Sequence, residues 1–119
     1  MERIRFISYG GKQILFVDLA QCTPAESEEI LRTTPDYVTV QPPGSVLLLA
    51  DFTGASFNED AIRVMQQTAV FDKPYIKKSA WIGTESLPAL FRETVSRFSR
   101  REFPVFKSKI EALEWLVKD

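Results

Sequence analysis

A short polar stretch in the middle of the chain holds side chains whose types and spacing could support chemistry. Three of them, Asp51, Glu59 and Asp60, are carboxylates that could work as a general acid and base or hold Mg²⁺. Two hydroxyl groups in the same stretch, those of Thr53 and Ser56, could accept a phosphoryl group. The same residue types also shape turns and begin helices without any chemistry. We favour this structural interpretation for the carboxylates, which would then end a strand and face the positive end of a helix.

The residue types on which most enzymes rely are missing from the sequence. The 119 residues include no histidine, which removes the most common general base and the usual Ser-His and Cys-His pairs. Neither a Gly-x-Gly-x-x-Gly motif nor a Gly-Lys-Ser/Thr phosphate loop is present. Cys22 precedes a predicted helix, where a thiol can become more acidic, but we favour an inert small side chain. We therefore predict a non-enzymatic protein with no catalytic residue, no metal and no cofactor.

The composition predicts one domain over residues 1–119. A hydrophobic share of 45% and a charged share of 26% are ordinary for a soluble globular protein. The N-terminus, Met1 to Arg5, lacks the apolar core of a signal peptide, and no apolar run approaches the ~18 residues of a membrane span. Cys22 is the only cysteine, which rules out an internal disulfide and suits a reducing compartment. We expect a cytoplasmic protein that is not transmembrane.

The charges divide unevenly between the two halves of the chain. Residues 1–60 contain four Lys/Arg and nine Asp/Glu, a balance of −5, whereas residues 61–119 contain eleven and seven, a balance of +4. The basic half could face anionic lipid, nucleic acid or an acidic protein. Cations also suit helix C-termini and solvated loops, and we favour that interpretation. No nucleic acid partner is expected, because the isoelectric point is near 5.5 and phosphate contacts call for a larger positive excess.

The elements that must position the polar stretch alternate between strands and helices. Val46 to Ala50 is an uninterrupted apolar run, typical of a central strand buried on both faces of a parallel sheet. Asn58, Glu59 and Asp60 then cap and open a helix that reaches about Phe71. The full order, ββαβαβαβα, predicts an α/β fold with a mixed, mostly parallel sheet and an antiparallel N-terminal strand. The polar stretch then lies in the crevice beyond the carboxyl ends of the strands, where partners usually dock.

Turn and capping residues mark the N-terminal elements. Gly10-Gly11 predicts a β-hairpin between the first two strands. Thr23 as N-cap, Pro24 at the first helical position and Glu26 in a capping box predict a helix start. Pro35 interrupts that helix, which either kinks there or stops and restarts.

Three elements are predicted in the C-terminal part after a strand from Ile76 to Ile82. A helix from Leu87 to Phe98, a short edge strand from Phe103 to Phe106 and a helix capped by Ser108 follow in order. The apolar face predicted for the first helix consists of Leu87, Leu90, Phe91, Thr94, Val95 and Phe98. The face predicted for the last helix consists of Ile110, Leu113 and Val117.

Aromatic residues are numerous enough to suggest an apolar cavity. Such residues could line a ligand site, but core packing explains aromatics at core-facing spacing without any ligand, and we favour it. The candidate lining residues are Phe57, Trp81, Leu87, Phe91 and Phe98.

The central stretch resembles a known family signature. Asp51 to Asp60, which reads Asp-Phe-Thr-Gly-Ala-Ser-Phe-Asn-Glu-Asp, resembles the strand-loop-helix signature of the STAS domain, named for sulfate transporters and anti-sigma-factor antagonists. The order of elements matches that fold as well. Gln41 to Val46, the strand end Trp81-Ile82-Gly83 and the closing Ala112 to Leu116 resemble a group of short stand-alone bacterial proteins described as STAS- or SEC14-like.

One position departs from the antagonist family. In that family a serine at the helix start is phosphorylated by a kinase, which releases the partner. Here Asp60 stands at the corresponding position. A carboxylate is not a substrate of a Ser/Thr kinase and keeps a permanent charge, so the resemblance implies the fold without the kinase-reversible switch.

Two functions follow as hypotheses. The first is a regulatory or binding module that docks a protein partner through the strand-loop-helix at residues 51–62. The alternative, implied by the SEC14-like resemblance, is a carrier of lipid or another apolar ligand with the lining residues given above. A homodimer is compatible with either hypothesis. The partner-binding residues of the first hypothesis are Asp51, Thr53, Ser56, Asn58, Glu59 and Asp60.

Overall fold

Strands and helices alternate along the chain in the predicted order. The computed structural model describes residues 2–119, and Met1 lies outside the described residues. Over this range the elements are β1 (Ile4–Tyr9), β2 (Lys12–Asp18), α1 (Pro24–Val38), β3 (Val46–Asp51), α2 (Glu59–Asp72), β4 (Ile76–Ile82), α3 (Phe91–Ser99), β5 (Val105–Phe106) and α4 (Lys109–Val117). Short 3₁₀ turns at Lys73–Tyr75 and Thr84–Ser86 flank β4.

The sheet has the order β1-β2-β3-β4-β5, with β3 at its centre. β1 is antiparallel to β2, and every other neighbouring pair is parallel. The predicted fold class is therefore confirmed, including the antiparallel N-terminal strand and the central position of the Val46 run. Because β2, β3 and β4 run the same way, the loops that follow them emerge at one edge of the sheet.

Helices cover both faces of the sheet, and each face has its own core. α1, α2 and α3 pack on the face that contains Leu15, Leu48 and Trp81. α4 packs alone on the opposite face, where Ala112, Leu113 and Leu116 cover residues such as Leu49. β3 is buried from both sides, which explains its uninterrupted apolar sequence. Across residues 2–119, no helix combines the length and the apolar character needed to cross a membrane.

The first helix is continuous through Pro35. Thr23 caps its start, accepting a hydrogen bond from the Glu26 amide at 3.2 Å, so the predicted capping box is confirmed. Pro35 has no N–H to donate to the Leu31 carbonyl. The hydroxyl of Thr68 on α2 donates to that carbonyl instead, at 3.3 Å. The helix therefore does not stop and restart at Pro35.

The start and the buried face of α3 differ from the prediction. Leu87 is extended, as expected for a residue before proline, and the helix begins only at Phe91. Its buried positions are Phe91, Val95 and Ser99. The prediction was wrong for Leu90, Thr94 and Phe98, which are exposed, because periodicity defines an apolar arc but not which part of that arc meets the core.

The last two elements are also displaced from their predicted limits. β5 is an edge strand as predicted but begins at Val105, since Phe103 turns into the core and stacks on Trp81 at 4.5 Å between ring centroids. α4 starts at the predicted Ser108 cap. Its buried face is shifted: Leu113 is buried as predicted, with Ala112 and Leu116 beside it, whereas Ile110 is exposed and Val117 is half-buried.

Candidate functional site

Three loops meet at the carboxyl edge of the sheet and are joined by main-chain hydrogen bonds. They follow β2, β3 and β4. The Gln21 amide donates to the Thr53 carbonyl at 2.8 Å, and the Ser56 amide donates to the Cys22 carbonyl at 2.9 Å. These bonds tie the loop after β3 to the loop after β2. The main chain of the polar stretch is thus held in place by its neighbours.

The loop after β4 braces the polar stretch from the other side. The Phe52 amide donates to the Ile82 carbonyl at 2.9 Å. The Ser86 hydroxyl lies 3.2 Å from the Ala55 carbonyl, to which it donates. The backbone of Gly83 lies close to Thr53 and Asp51. Its φ of +69° is one that residues with a side chain rarely adopt. The loop after β3 therefore sits between two others that fix its conformation.

The Asp51 carboxylate is engaged in shaping the turn. It is half-buried, and its Oδ1 accepts from the Thr53 amide at 3.0 Å and from the Thr53 hydroxyl at 2.7 Å. A Cβ on Gly83 would lie 2.9 Å from the same Oδ1. Asp51 and Thr53 are consequently held in place by close packing at the strand end. This agrees with the turn-forming role that we favoured for Asp51 from the sequence.

The first turn of α2 carries the exposed carboxylates of the site. Asn58 is the N-cap, and its Oδ1 accepts from the Ala61 amide at 2.9 Å. Asp60 forms an ion pair with Arg63 at 3.0 Å, but both side chains are more than 60% exposed, and such pairs contribute little to stability. Within residues 2–119 the Glu59 carboxylate makes no side-chain hydrogen bond and no ion pair. Both carboxylates lie at the positive end of the α2 dipole, as the structural interpretation expected, and within the described part of the chain neither makes a further strong contact in the folded state.

The predicted partner-binding residues form one continuous segment at this edge. Asp51 is half-buried in the turn, and the remaining predicted positions are exposed; these are Thr53, Ser56, Asn58, Glu59 and Asp60. No group of three or more His, Cys, Asp or Glu side chains in the described part of the chain is placed to hold a metal ion. The carboxylates thus do not converge on a common point suited to Mg²⁺.

Cys22 lies in the neighbouring loop but is buried, with 2% of its surface exposed. Burial raises the pKa of its thiol, and the nearby Arg3 only partly offsets this effect. A thiol with a raised pKa carries little thiolate at neutral pH, and the thiolate is the nucleophile. This agrees with the inert role favoured from the sequence.

Aromatic rings fill the space beneath the loops. Phe52 is fully buried, and its ring centroid lies 4.7 Å from that of Trp81. The ring centroids of Phe57 and Phe91 are also 4.7 Å apart. Leu87 packs against the same core. Four of the candidate cavity-lining residues are therefore in this core, whereas Phe98 is 54% exposed on α3.

The interior next to these rings holds very little open space. A cavity of about 30 Å³ lies among Phe52, Trp81 and Phe103 and reaches Asp72 and Arg101. This volume is close to the share of one water molecule in the liquid, and small-molecule sites usually have several hundred Å³. A larger groove of about 300 Å³, between the N-terminal strand and α1, lies on the surface and is lined by Glu26, Glu29 and Tyr37 among others.

Sequence reasoning missed the residues that brace the site. Gln21, Gly83 and Ser86 hold the polar stretch from the two neighbouring loops. Gly83 carried a usable signal, because a glycine directly after a buried strand often marks a close backbone approach. Gln21 and Ser86 are ordinary loop residues in the sequence, and no local pattern distinguishes them.

No protein-family model and no curated protein matches the chain. A solved structure with a similar fold is that of an uncharacterized protein of the DUF3478 family with a SpoIIAA-like fold, from Shewanella loihica PV-4. The TM-score is 0.72 at 19% identity, and the similarity covers 95% of this chain and 91% of that chain. The chain therefore has a SpoIIAA-like fold, and the STAS-like architecture implied by the sequence resemblance is confirmed.

Proposed function

We propose that the protein is a non-enzymatic STAS-type binding module that docks a protein partner through residues 51–62. The observation that carries this proposal is a loop held from both sides and followed by two exposed carboxylates in the first turn of α2. The loop is fixed by hydrogen bonds from both neighbouring loops, whereas Glu59 and Asp60 project into solvent. A pre-organised segment loses little conformational entropy on binding, so its exposed side chains can contribute fully to affinity.

The chemistry of this segment favours a partner with a basic contact surface. Glu59 and Asp60 place negative charge beside the first turn of α2, and Thr53, Ser56 and Asn58 add hydroxyl and amide groups that can hydrogen-bond. Apolar surface lies close by. Phe57 is half-buried, and its ring contacts Phe91, the neighbour of the 70% exposed Leu90. An apolar centre with a polar rim is the usual composition of a protein interface.

The proposed docking is constitutive with respect to phosphorylation at the helix start. Asp60 occupies the position that corresponds, by the sequence resemblance, to the phosphoacceptor serine of the antagonist family. Its charge at neutral pH is permanent, so the segment has no neutral state to which a phosphatase could return it. The bacterial, cytoplasmic setting implied by the resemblance and the composition is part of the same proposal.

The test reverses the charge of the exposed carboxylates. The E59K/D60K variant should keep its fold by circular dichroism but bind partners captured by the unmodified protein at least about tenfold more weakly, which corresponds to about 1.4 kcal/mol. The matched control is E29K/E114K, which changes the net charge equally at exposed positions on α1 and α4. Equal capture by E59K/D60K and the unmodified protein would contradict the proposal.

The carrier hypothesis has less support from the interior. A lipid or other apolar ligand needs a site of several hundred Å³, and the cavity beside the aromatic core is about 30 Å³. Native mass spectrometry of the purified protein tests this directly. We expect the mass of the chain alone, and an adduct of lipid-like mass that leaves on denaturation would favour the carrier.

A further inference from the structure

Large apolar side chains are exposed on the final turns of α2 and α3. Val70 and Phe71 lie in the last turn of α2, and Phe98 lies in the last turn of α3. Each of the three is 46–57% exposed. Phe98 and Gln66 line one shallow groove between the two helices, and Val70 follows Gln66 by one helical turn on the same face. The three apolar residues therefore form one surface, which we call the helix-end patch.

The helix-end patch lies at the amino end of the sheet, where β3 and β4 begin. α2 connects these two parallel strands, so it runs back from the carboxyl end of the sheet to the amino end. The Lys73 ammonium, just after α2, donates to the Ser99 carbonyl at 3.3 Å and to the Arg100 carbonyl at 3.0 Å. This bridge keeps the ends of α2 and α3 together. The patch is thus at the opposite end of the sheet from residues 51–62.

A groove of about 580 Å³ next to the patch is rich in cations. The cationic residues that line it are Lys73, Lys77, Lys78, Arg100 and Arg101. Within residues 2–119, Glu102 is the only carboxylate among its lining residues, and Asp119 lies nearby, paired with Lys12. The amino end is therefore positive although the whole chain has a net charge of −1.

The fold uses some of these cations and leaves others free. The interpretation favoured from the sequence, in which cations hold helix ends, accounts for Lys73. It also accounts for Lys78, whose ammonium donates to the Trp115 carbonyl at 3.0 Å near the end of α4. Lys77 and Arg100 are exposed, and within residues 2–119 their side chains make no hydrogen bond or ion pair. Their charges remain available to an anionic surface.

We propose that the amino end docks on the surface of an anionic lipid bilayer. The apolar side chains of the helix-end patch enter the boundary between head groups and acyl chains, while Lys77 and Arg100 meet negatively charged head groups. Each basic residue near such a surface strengthens binding by a factor of about five. Glu59 and Asp60 lie at the other end of the sheet and are repelled by the same surface. The proposed docking segment therefore faces away from the bilayer and stays open to a protein partner.

The composition of this end favours a bilayer over a protein partner. The cores of protein interfaces are depleted in lysine, whereas Lys73, Lys77 and Lys78 are clustered here. The stems of lysine and arginine can lie along apolar surface while their charges stay in water, which suits the boundary between acyl chains and head groups. An anionic bilayer therefore matches both the charge of the amino end and its exposed apolar side chains.

Co-sedimentation with lipid vesicles tests the electrostatic part of the proposal. We expect the full-length protein to bind phosphatidylcholine vesicles that contain about 30% phosphatidylserine, and not vesicles of phosphatidylcholine alone. K77E/R100E should bind the anionic vesicles at least about tenfold more weakly while its circular dichroism stays unchanged. The matched control, R63E/K107E, changes the net charge equally at exposed positions near the carboxyl end. It should bind as the unmodified protein does.

Replacement of the exposed rings tests the apolar part. F71S/F98S should bind anionic vesicles at least about fivefold more weakly, because less apolar surface enters the boundary. Its control, L90S/I110S, replaces two exposed apolar residues outside the patch and should bind as the unmodified protein does. In vesicles whose acyl chains carry bromine close to the head groups, the fluorescence of F71W should be quenched more than that of the unmodified protein. The fluorescence of L90W should show no such additional quenching.

Other outcomes would overturn the proposal. One is the absence of binding to anionic vesicles at lipid concentrations up to about 1 mM. Equal binding of neutral and anionic vesicles would contradict the role of the cations. Equal binding of F71S/F98S and the unmodified protein would show that this end recognises negative charge alone. A soluble poly-glutamate peptide that binds as tightly as the vesicles would assign the surface to an acidic protein instead.

Discussion

The two ends of the sheet are stabilised in different ways. At the carboxyl end, main-chain groups of adjacent loops bond to one another, as between Gln21 and Thr53 at 2.8 Å. At the amino end, main-chain bonds such as that from the Gly44 amide to the Pro74 carbonyl at 2.9 Å are supplemented by long cationic side chains that donate to carbonyl groups, as Lys78 does to Trp115 at 3.0 Å. The exposed carboxylates of Glu59 and Asp60 at the carboxyl end can therefore change with little effect on the fold, whereas several charged side chains at the amino end are themselves part of the fold.

The amino end also contains a buried carboxyl group, that of Asp72, near the half-buried guanidinium of Arg101. Asp72 is 2% exposed, and burial raises its pKa to about 6 despite the nearby Arg101. Burial lowers the pKa of Arg101 to about 10, so it stays charged at neutral pH. Its guanidinium donates to the Ala69 carbonyl at 3.0 Å and to the Ser79 hydroxyl at 2.6 Å. The carboxylates of the carboxyl end, at Glu59 and Asp60, are exposed by contrast.

The largest expected difference between the two ends concerns a pair of phenylalanines. Phe52 is fully buried under the carboxyl-end loops, whereas Phe98 is 54% exposed on the last turns of α3. Phe52→Ala should lower the free energy of unfolding by about 3–5 kcal/mol, because it leaves a cavity in a close-packed core. Phe98→Ala should change it by less than about 0.5 kcal/mol. Urea denaturation measures both, and a large cost at Phe98 would show that α3 buries the face predicted from periodicity.

A pair of glycines gives the next largest difference. Gly83 and Gly44 both have positive φ, at +69° and +66°. A Cβ at Gly83 would lie 2.6 Å from the Thr53 amide nitrogen, whereas a Cβ at Gly44, at the amino end, meets no atom within 4 Å. Gly83→Ala should therefore cost about 2–4 kcal/mol, combining backbone strain with a steric clash. Gly44→Ala should cost about 1 kcal/mol from strain alone. Equal costs in thermal or urea unfolding would contradict the close approach at the carboxyl end.

The smallest effect is a pH dependence that belongs to the amino end. The folded state binds the Asp72 proton more tightly than the unfolded chain does, since burial raises the pKa from 3.8 to about 6. The contribution of Asp72 to the free energy of unfolding should therefore fall as the pH rises from about 4 to about 6, by about 1–3 kcal/mol, and stay low at higher pH. Denaturation at several pH values measures it.

Two variants isolate this contribution from the other titrating groups. Asp72→Asn removes the titration but keeps the size of the side chain, so its stability relative to the unmodified protein should increase between pH 4 and pH 6. Asp36→Asn, which removes an exposed carboxylate on α1, is the matched control for the loss of one negative charge. If the difference between Asp72→Asn and the unmodified protein were constant with pH, the Asp72 carboxyl would not titrate as described.

The contrast between the ends also explains how much the sequence could predict. The strand, loop and helix around residues 46–72 follow from local signals: an apolar run, short polar turn residues and the Asn58 cap. All of these lie within a few residues of the structure that they determine. The partners of Arg101 at the amino end, Ala69 and Ser79, are 32 and 22 residues away in the chain. No periodicity or cap encodes such a contact, so neither the buried Asp72 carboxyl nor the contacts of Arg101 were predicted.

The same limit applies to helix faces. The spacing from Leu87 to Phe98 correctly indicated a helix in that region, but Leu87 is extended before Pro88 and Leu90 is left-handed at φ +66°, so the helix begins only at Phe91. The core then accepts only part of the apolar arc, and Leu90 and Phe98 are left on the surface. How far a helix is rotated about its axis depends on the surface against which it packs, and that surface is built from distant parts of the chain.

The bond between Thr68 and the Leu31 carbonyl has a consequence for the alignment of α1 and α2. Pro35 cannot donate to this carbonyl inside α1, and the Thr68 hydroxyl of α2 donates to it instead. The two helices can therefore slide past each other only by breaking that bond and leaving a carbonyl unsatisfied. The absence of an N–H group at Pro35 therefore helps to fix the position of α2 along α1.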